Sequence, residues 1–278
     1  MIKAPAKFRK PITNELKKFI VHVQSLASKG KSATEEDARI IINDILAYVL
    51  GYDKYNDLRT EFKDKNNRLD YVVKLSEGKH SKKKEKYDFV IEAKSSGVDI
   101  KTDYINQTLT YCLTAGVDFF IITNAKEWKL FKVVNTKNKK EAMLIWETNL
   151  TNGTDIEVLV DEMYVFSKHA YLEDKWDEVA DMNKATDVAD VMAVIYSEKF
   201  MKNIAKTLKD IHNVRISDVA LQEVMEKEVF KDFSKISRPL LKKLNSPDKK
   251  QEKNTPVIEA QQTTVEITDF QVDERDIA

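Results

Sequence analysis

Two carboxylates and one lysine lie on two short apolar segments, RLDYVV with Asp70 and FVIEAK with Glu92 and Lys94. Both segments are typical of β-strands, and because side chains alternate along a strand, Glu92 and Lys94 share one face. If strands Leu69–Leu75 and Tyr87–Lys94 pair antiparallel about the middle of the polar stretch between them, Asp70 lies opposite Glu92. The sequence therefore predicts that the three side chains converge.

Such a set of groups suits metal-assisted cleavage of a phosphodiester. Carboxylate oxygens bind Mg²⁺, which keeps several waters and accepts phosphate oxygens in its remaining positions. The metal offsets charge on the scissile phosphate and acidifies a bound water, which Lys94 would orient or deprotonate. The alternative is an ordinary cross-strand ion pair of Asp70 with Lys94. The apolar run around Glu92 favours the first interpretation, because a lone buried carboxylate is costly.

A helix before these strands supplies further acids. Thr34 is predicted as its N-cap, Glu35 and Glu36 follow in the first turn, and Gly51 ends the helix after a series of apolar residues at helical spacing. The two glutamates either join the carboxylates of the strands or only complement the helix dipole.

A second helix, predicted over Thr102–Ala115, carries Gln107 and Tyr111 four residues apart and so on one face. These two side chains either contact the lysine end of the strand or the substrate backbone, or they are surface residues. Cys112 in the same helix is interpreted as a small buried hydrophobic residue.

The order of helices and strands predicts an α/β fold, a central mixed sheet flanked by helices. Helical spacing also marks the N-terminal segment Ile12–Ala27. The remaining strands are predicted at Arg59–Lys63, Asp118–Thr123, Trp128–Val134 and Ala142–Trp146.

Changes in composition divide the chain into four parts. Residues 1–30 form a basic helix, 31–170 the α/β domain, 171–245 a helical region and 246–278 a flexible acidic tail. The 278 residues carry equal numbers of basic and acidic side chains, 46 of each, so their net charge of zero hides a basic start and an acidic end. The lysine-rich stretch Lys79–Lys86 is either a phosphate contact or a solvated hairpin tip.

Composition also excludes several classes of protein. A single cysteine excludes an intramolecular disulfide and a cysteine-rich zinc site. The four histidines are scattered along the sequence, which argues against a zinc hydrolase. The sequence shows neither a secretory signal nor an apolar run of the roughly 20 residues that a membrane helix needs. A cytoplasmic location without membrane contact is expected.

Five segments, in order, resemble one known family. TEEDARIIINDILAYVLGYD, RLDYVV, FVIEAKSSGVDI, QTLTY and FFIITNAKEWKLFKV follow the pattern of the N-terminal nuclease domain of type I restriction-enzyme R subunits, over roughly residues 30–150. That domain is similar to PD-(D/E)xK nucleases of the branch with a QxxxY motif. Leucine precedes Asp70 where the family motif has proline.

The resemblance implies a site and its cofactor. It gives Asp70 and Glu92 as ligands of Mg²⁺, with Mn²⁺ as a possible substitute, and Lys94 as the catalytic lysine. Gln107 and Tyr111 match QxxxY, and Glu35 matches the acid of the first helix, with Glu36 as the alternative. Asn124, Glu127 and Trp128 match a turn whose role is structural.

The leading hypothesis is therefore a metal-dependent deoxyribonuclease, a Mg²⁺-dependent DNA endonuclease linked to restriction-modification. Its partner would be DNA, with a protein partner or a second copy of the chain also possible. No helicase motor is expected, because SKGKS at 28–32 lacks the first glycine of a P-loop and follows a helix. The alternatives are an inactive nuclease-fold protein that binds nucleic acid or a protein partner, and an interaction protein that uses its acidic tail.

Overall fold

A computed structural model describes residues 2–64, 67–76, 87–136 and 139–246. The lysine-rich stretch Lys79–Lys86 and the predicted tail beyond residue 246 lie outside the described residues. The chain divides into two compact units, Met1–Val191 and Met192–Ala278.

The helices and strands follow the predicted order and extend it. The strands are β1 (Leu58–Asp64), β2 (Asn67–Val73), β3 (Phe89–Ala93), β4 (Phe119–Thr123), β5 (Glu127–Thr136) and β6 (Lys139–Asn149). The helices are α1 (Ala6–Ser28), α2 (Glu35–Asp44), α3 (Thr102–Ala115), α4 (Ile156–Tyr164), α5 (Lys168–Leu172), α6 (Lys175–Ala185), α7 (Val188–Ile195), α8 (Glu198–His212), α9 (Asp218–Val224) and α10 (Arg238–Leu244). The α/β class and the helical C-terminal region are confirmed.

The first unit is built on a mixed sheet of six strands in the order β1-β2-β3-β4-β5-β6. Neighbouring strands are antiparallel except β3 and β4, which run parallel. A parallel pair needs a crossover connection, and α3 provides it. Every residue of β3 and β4 is buried, in keeping with their continuous apolar sequences FVIEA and FFIIT.

The predicted register of β2 against β3 is confirmed. Tyr71 pairs with Ile91, Val72 with Val90 and Val73 with Phe89. The ladder stops one pair short of Asp70 and Glu92, and β3 ends at Ala93 rather than at Lys94 as predicted. The backbone N–H of Lys94 still donates to the Thr123 carbonyl at 2.8 Å, so β4 fixes the chain at that point.

Helix α2 begins at the predicted cap. The Thr34 hydroxyl accepts from the backbone N–H of Asp37 at 3.1 Å, and the Asp37 carboxylate accepts from the N–H of Thr34 at 3.0 Å, which completes a capping box. The helix continues through a π-helical turn over Ile45–Val49. Gly51 then takes a positive φ of 78°, as expected for the glycine that ends a helix.

Aromatic rings hold α6 to the sheet. Trp176 is buried, and its ring lies 4.7 Å from that of Phe89, 5.4 Å from Phe119 and 4.8 Å from Tyr171, all edge-on. Its indole N–H donates to the Val165 carbonyl at 2.6 Å, so the polar group of this buried side chain has a hydrogen-bond partner. This packing fixes the N-terminal ends of β3 and β4.

Helix α1 begins six residues earlier than predicted and contains Pro11. Proline lacks the N–H for one backbone hydrogen bond of a helix, so Pro11 is unfavourable inside α1. Tertiary contacts compensate: the Arg9 guanidinium pairs with Glu157 at 2.9 Å and with Asp161 of α4, and the Asp161 carboxylate also accepts from the N–H of Ala4. Because these partners are distant in sequence, the part of the helix before Ile12 does not show in the apolar spacing.

The second unit consists of short helices around small apolar clusters. Met192, Ala193 and Ile236 form one cluster, and Met201, Leu221 and Met225 form another. Among the helices of the described ranges, none is both long and apolar enough to cross a membrane.

The single thiol, Cys112, allows a test of the core. It is fully buried on α3, and burial raises its pKa to about 12, which lowers the thiolate fraction about a thousandfold. We expect the native protein to resist a thiol reagent at pH 8 and to react with one equivalent after unfolding in guanidinium. Rapid labelling of the native chain would contradict the burial.

Candidate active site

Four acidic and basic side chains predicted from sequence meet where the C-terminal end of β3 lies beside the middle of β2. Asp70 lies on β2, Glu92 on β3 and Lys94 directly after β3, while Glu35 comes from the first turn of α2. The convergence is therefore produced by two adjacent strands and the start of one helix.

Asp70 is held from two directions. Its Oδ2 accepts a hydrogen bond of 2.7 Å from the backbone N–H of Ala93, and its Oδ1 accepts from Arg39 of α2. Only 5% of the residue is exposed. Because a buried carboxylate needs partners for its charge, these two contacts explain how Asp70 is tolerated in the sheet.

Glu92 and Lys94 form a close pair on one side of β3. The Lys94 ammonium donates to Glu92 Oε1 at 2.5 Å and to the Ala93 carbonyl at 3.0 Å. It also lies 5.2 Å from the ring centroid of Tyr104 on α3, a cation–π contact. The alternative pair of Asp70 with Lys94 is thus replaced by two separate pairs, Asp70 with Arg39 and Glu92 with Lys94.

The two glutamates of α2 have different surroundings. Glu35 Oε2 lies 3.9 Å from the Lys94 ammonium, and Glu35 Oε1 accepts from Arg39 at 2.8 Å. Glu36 contacts Arg39 at 3.3 Å, but its side chain is 75% exposed against 35% for Glu35. Glu35 is the acid that lies beside the strand carboxylates and the lysine.

Charge within the cluster acts on Glu92. Burial, together with the negative charge of Asp70, raises the pKa of Glu92, and Lys94 opposes this shift. Among the described side chains, the carboxylates Glu35, Asp70 and Glu92 lie beside the cations Arg39 and Lys94, and the exposed Glu36 also contacts Arg39.

In the described part of the chain, no three His, Cys, Asp or Glu side chains are arranged to hold a metal ion. The pairing of Asp70 with Arg39 and of Glu92 with Lys94 accounts for this, since each carboxylate is directed to its own cation. Oxygen ligands of the type that Mg²⁺ prefers are nevertheless close together.

Two loops brace the site from outside. The Ser95 hydroxyl donates to the Ala33 carbonyl at 2.6 Å, which ties the residue after Lys94 to the residue before the cap of α2. Gly97 lies so close to the turn before α2 that a Cβ there would come within 2.2 Å of the Gly30 carbonyl oxygen. The segment SKGKS, which resembles part of a P-loop, thus packs against the loop that follows the lysine.

The turn between β4 and β5 supports the same loop. The buried Asn124 side chain donates to the Val98 carbonyl at 2.9 Å and accepts from the Glu127 N–H at 2.8 Å. The Trp128 indole donates to the Ala125 carbonyl at 3.0 Å. These contacts agree with a structural role for the three residues Asn124, Glu127 and Trp128.

The two QxxxY residues lie on α3 in different environments. Gln107 is exposed and Tyr111 is buried, so the interpretation of both as surface residues is wrong for Tyr111. The α3 side chain over Lys94 is Tyr104, which sequence reasoning missed. Arg39 was missed too, although its spacing of four residues from Glu35 was a usable signal for an ion pair.

A mixed sheet with carboxylates on two adjacent strands and a lysine directly after one of them is consistent with a nuclease-like core. Comparison with known families agrees: residues 34–145 match the model described as "Type I restriction enzyme R protein N terminus (HSDR_N)". The resemblance seen in the sequence is confirmed for this segment, which is less than half of the chain, and the family suggests a nuclease-like role. No curated protein and no solved structure matches the chain.

Gly97 provides a test of the bracing loops. We expect Gly97→Ala to lower the free energy of unfolding by about 1–3 kcal/mol, because the opposing atom is a backbone carbonyl that has to move. Gly30→Ala is the matched comparison, since its added Cβ meets nothing within 4 Å and only its φ of +54° is unfavourable. Urea unfolding measures both variants, and a smaller effect at Gly97 than at Gly30 would contradict the close packing.

Proposed function

We propose that the chain is a Mg²⁺-dependent DNA endonuclease that hydrolyses phosphodiester bonds. The observation that carries this proposal is the meeting of Asp70 and Glu92 beside Lys94, braced by the backbone of neighbouring strands. The match of residues 34–145 to a restriction-enzyme family supports DNA as the substrate. The PD-(D/E)xK branch with QxxxY remains part of the proposal.

Asp70 and Glu92 would hold the metal, with Glu35 in support through its proximity to Lys94. Their carboxylate oxygens fit Mg²⁺ or Mn²⁺ by type. When bound, the metal would offset charge on the scissile phosphate and lower the pKa of a bound water.

Lys94 would orient or deprotonate the attacking water. Its ammonium is anchored by Glu92 and by the Ala93 carbonyl, and the ring of Tyr104 limits its movement. Gln107, exposed on α3, would contact the DNA backbone, whereas the buried Tyr111 would act by fixing α3.

A second candidate is an inactive nuclease-fold protein that binds nucleic acid or a protein partner. The internal pairing favours it: Arg39 and Lys94 already neutralise the two strand carboxylates. The proposal of an active enzyme is preferred because Asp70, Glu92 and Lys94 meet within the segment that matches a restriction-enzyme family.

Asp70→Asn tests the metal site. We expect the wild type to bind Mg²⁺ or Mn²⁺ in calorimetry and the variant to lose that binding, because the substitution removes an anionic ligand. Asp88→Asn is the matched control: Asp88 is another buried carboxylate, which accepts from the Leu75 N–H at 2.8 Å, outside the cluster. Metal binding that survives in Asp70→Asn would place the metal elsewhere.

Lys94→Met tests the chemistry. We expect plasmid nicking to fall by on the order of a hundredfold or more, the usual contribution of a positioned proton-transfer group. Lys129→Met is the control, because Lys129 pairs at 3.4 Å with Glu147 on the β5–β6 side of the sheet. Equal nicking by wild type and Lys94→Met would exclude the lysine from the reaction, and metal binding without nicking in the wild type would favour the second candidate.

A further inference from the structure

The guanidinium of Arg39 joins the acids of α2 to the strand carboxylate Asp70. Its Nη2 donates both to Glu35 Oε1 at 2.8 Å and to Asp70 Oδ1, and its Nη1 donates to Glu36 at 3.3 Å. The Arg39 side chain is only 17% exposed. A planar guanidinium can bridge several carboxylate oxygens at once, which a lysine ammonium does less well.

The two oxygens of the Asp70 carboxylate have different partners, and Arg39 donates to Oδ1. The other oxygen, Oδ2, accepts from the backbone N–H of Ala93 inside the sheet at 2.7 Å. That hydrogen bond takes one lone pair of Oδ2 and holds it against the strand backbone, whereas Oδ1 accepts from the Arg39 side chain. A cation that approaches Oδ1 therefore meets Arg39.

Removal of Arg39 would leave the carboxylates without enough positive charge. Among the described side chains, Lys94 would then be the cation beside Glu35 and Glu92, and like charges in a partly buried site repel one another more strongly than in water. The positive charge of Arg39 therefore neutralises carboxylates that a divalent cation could also neutralise.

We propose that Arg39 is a built-in counter-cation, which holds Asp70 and Glu35 in place in the metal-free protein and yields Asp70 Oδ1 when a divalent cation binds. The inference rests on the proposed metal site and adds a positioning residue to it. Arg39 and the metal compete for the same carboxylates, so the presence of Arg39 lowers the affinity of the site for the metal.

Arg39→Met tests this competition without an activity assay. Calorimetry should show Mg²⁺ binding on the order of tenfold tighter than in the wild type, because a competing charge near the site is gone. The variant should melt at a lower temperature than the wild type in EDTA, and Mg²⁺ should raise its melting temperature by more than it raises that of the wild type. Equal or weaker Mg²⁺ binding in a folded Arg39→Met protein would overturn the inference.

Arg9→Met is the matched control. Arg9 likewise bridges an aspartate and a glutamate, Asp161 and Glu157, on a neighbouring helix. Its loss should lower the melting temperature in EDTA, and the shift caused by Mg²⁺ should remain that of the wild type. A Mg²⁺ shift as large in Arg9→Met as in Arg39→Met would mean that the ion acts on any destabilised variant, which would also overturn the inference.

Two further outcomes separate this inference from the proposed function. Arg39→Lys keeps the competing charge, so its Mg²⁺ affinity should stay close to that of the wild type; if Arg39→Met does not fold, Arg39→Gln removes the charge, and unchanged Mg²⁺ binding in that variant overturns the inference. A wild type that binds no Mg²⁺ would contradict the metal-dependent nuclease. Binding by Arg39→Met in that case would still support Arg39 as the competing cation.

Discussion

The need to neutralise two buried carboxylates on adjacent strands governs the structure around the candidate site. Asp70 and Glu92 lie in a sheet whose central strands are fully buried, where an unpaired negative charge is unstable. Each therefore has its own cation, Arg39 for Asp70 and Lys94 for Glu92. One cation comes from a helix and the other from the end of a strand, so α2 has to dock against β2 and β3 for the charges to balance.

That docking is secured by backbone contacts rather than by the ion pairs alone. A capping box at Thr34 fixes the first residue of α2, and the hydroxyl of Ser95 ties the loop after Lys94 to the residue before that cap. The close approach of Gly97 to Gly30 leaves the two loops little freedom to separate. Fixed backbones of this kind hold side chains in one geometry, which is what a catalytic or metal site requires.

Electrostatics connects this framework to the proposed chemistry. Arg39 and Lys94 are enough to pair with the two strand carboxylates. Glu35 and Glu36 place further negative charge beside these two cations. Burial, together with the charge of Asp70, raises the pKa of Glu92, and Lys94 opposes that shift. The match of residues 34–145 to a restriction-enzyme domain suggests a nuclease-like role and interaction with DNA.

The sequence by itself determined the elements and the strand register. Continuous apolar runs specified the buried strands, Thr34 and Gly51 marked the ends of a helix, and the polar stretch between two strands set the pairing of Tyr71 with Ile91. It also grouped Asp70, Glu92 and Lys94 with an acid of the first helix, Glu35 or Glu36. Tertiary structure alone decided which charges pair. In the sequence Arg39 cannot be distinguished from a solvent-exposed basic residue of an amphipathic helix, and its pairing with Asp70 depends on how the helix packs against the sheet. It also decided that Tyr104 covers Lys94 and that α1 begins before Pro11, since both depend on partners far away in the chain.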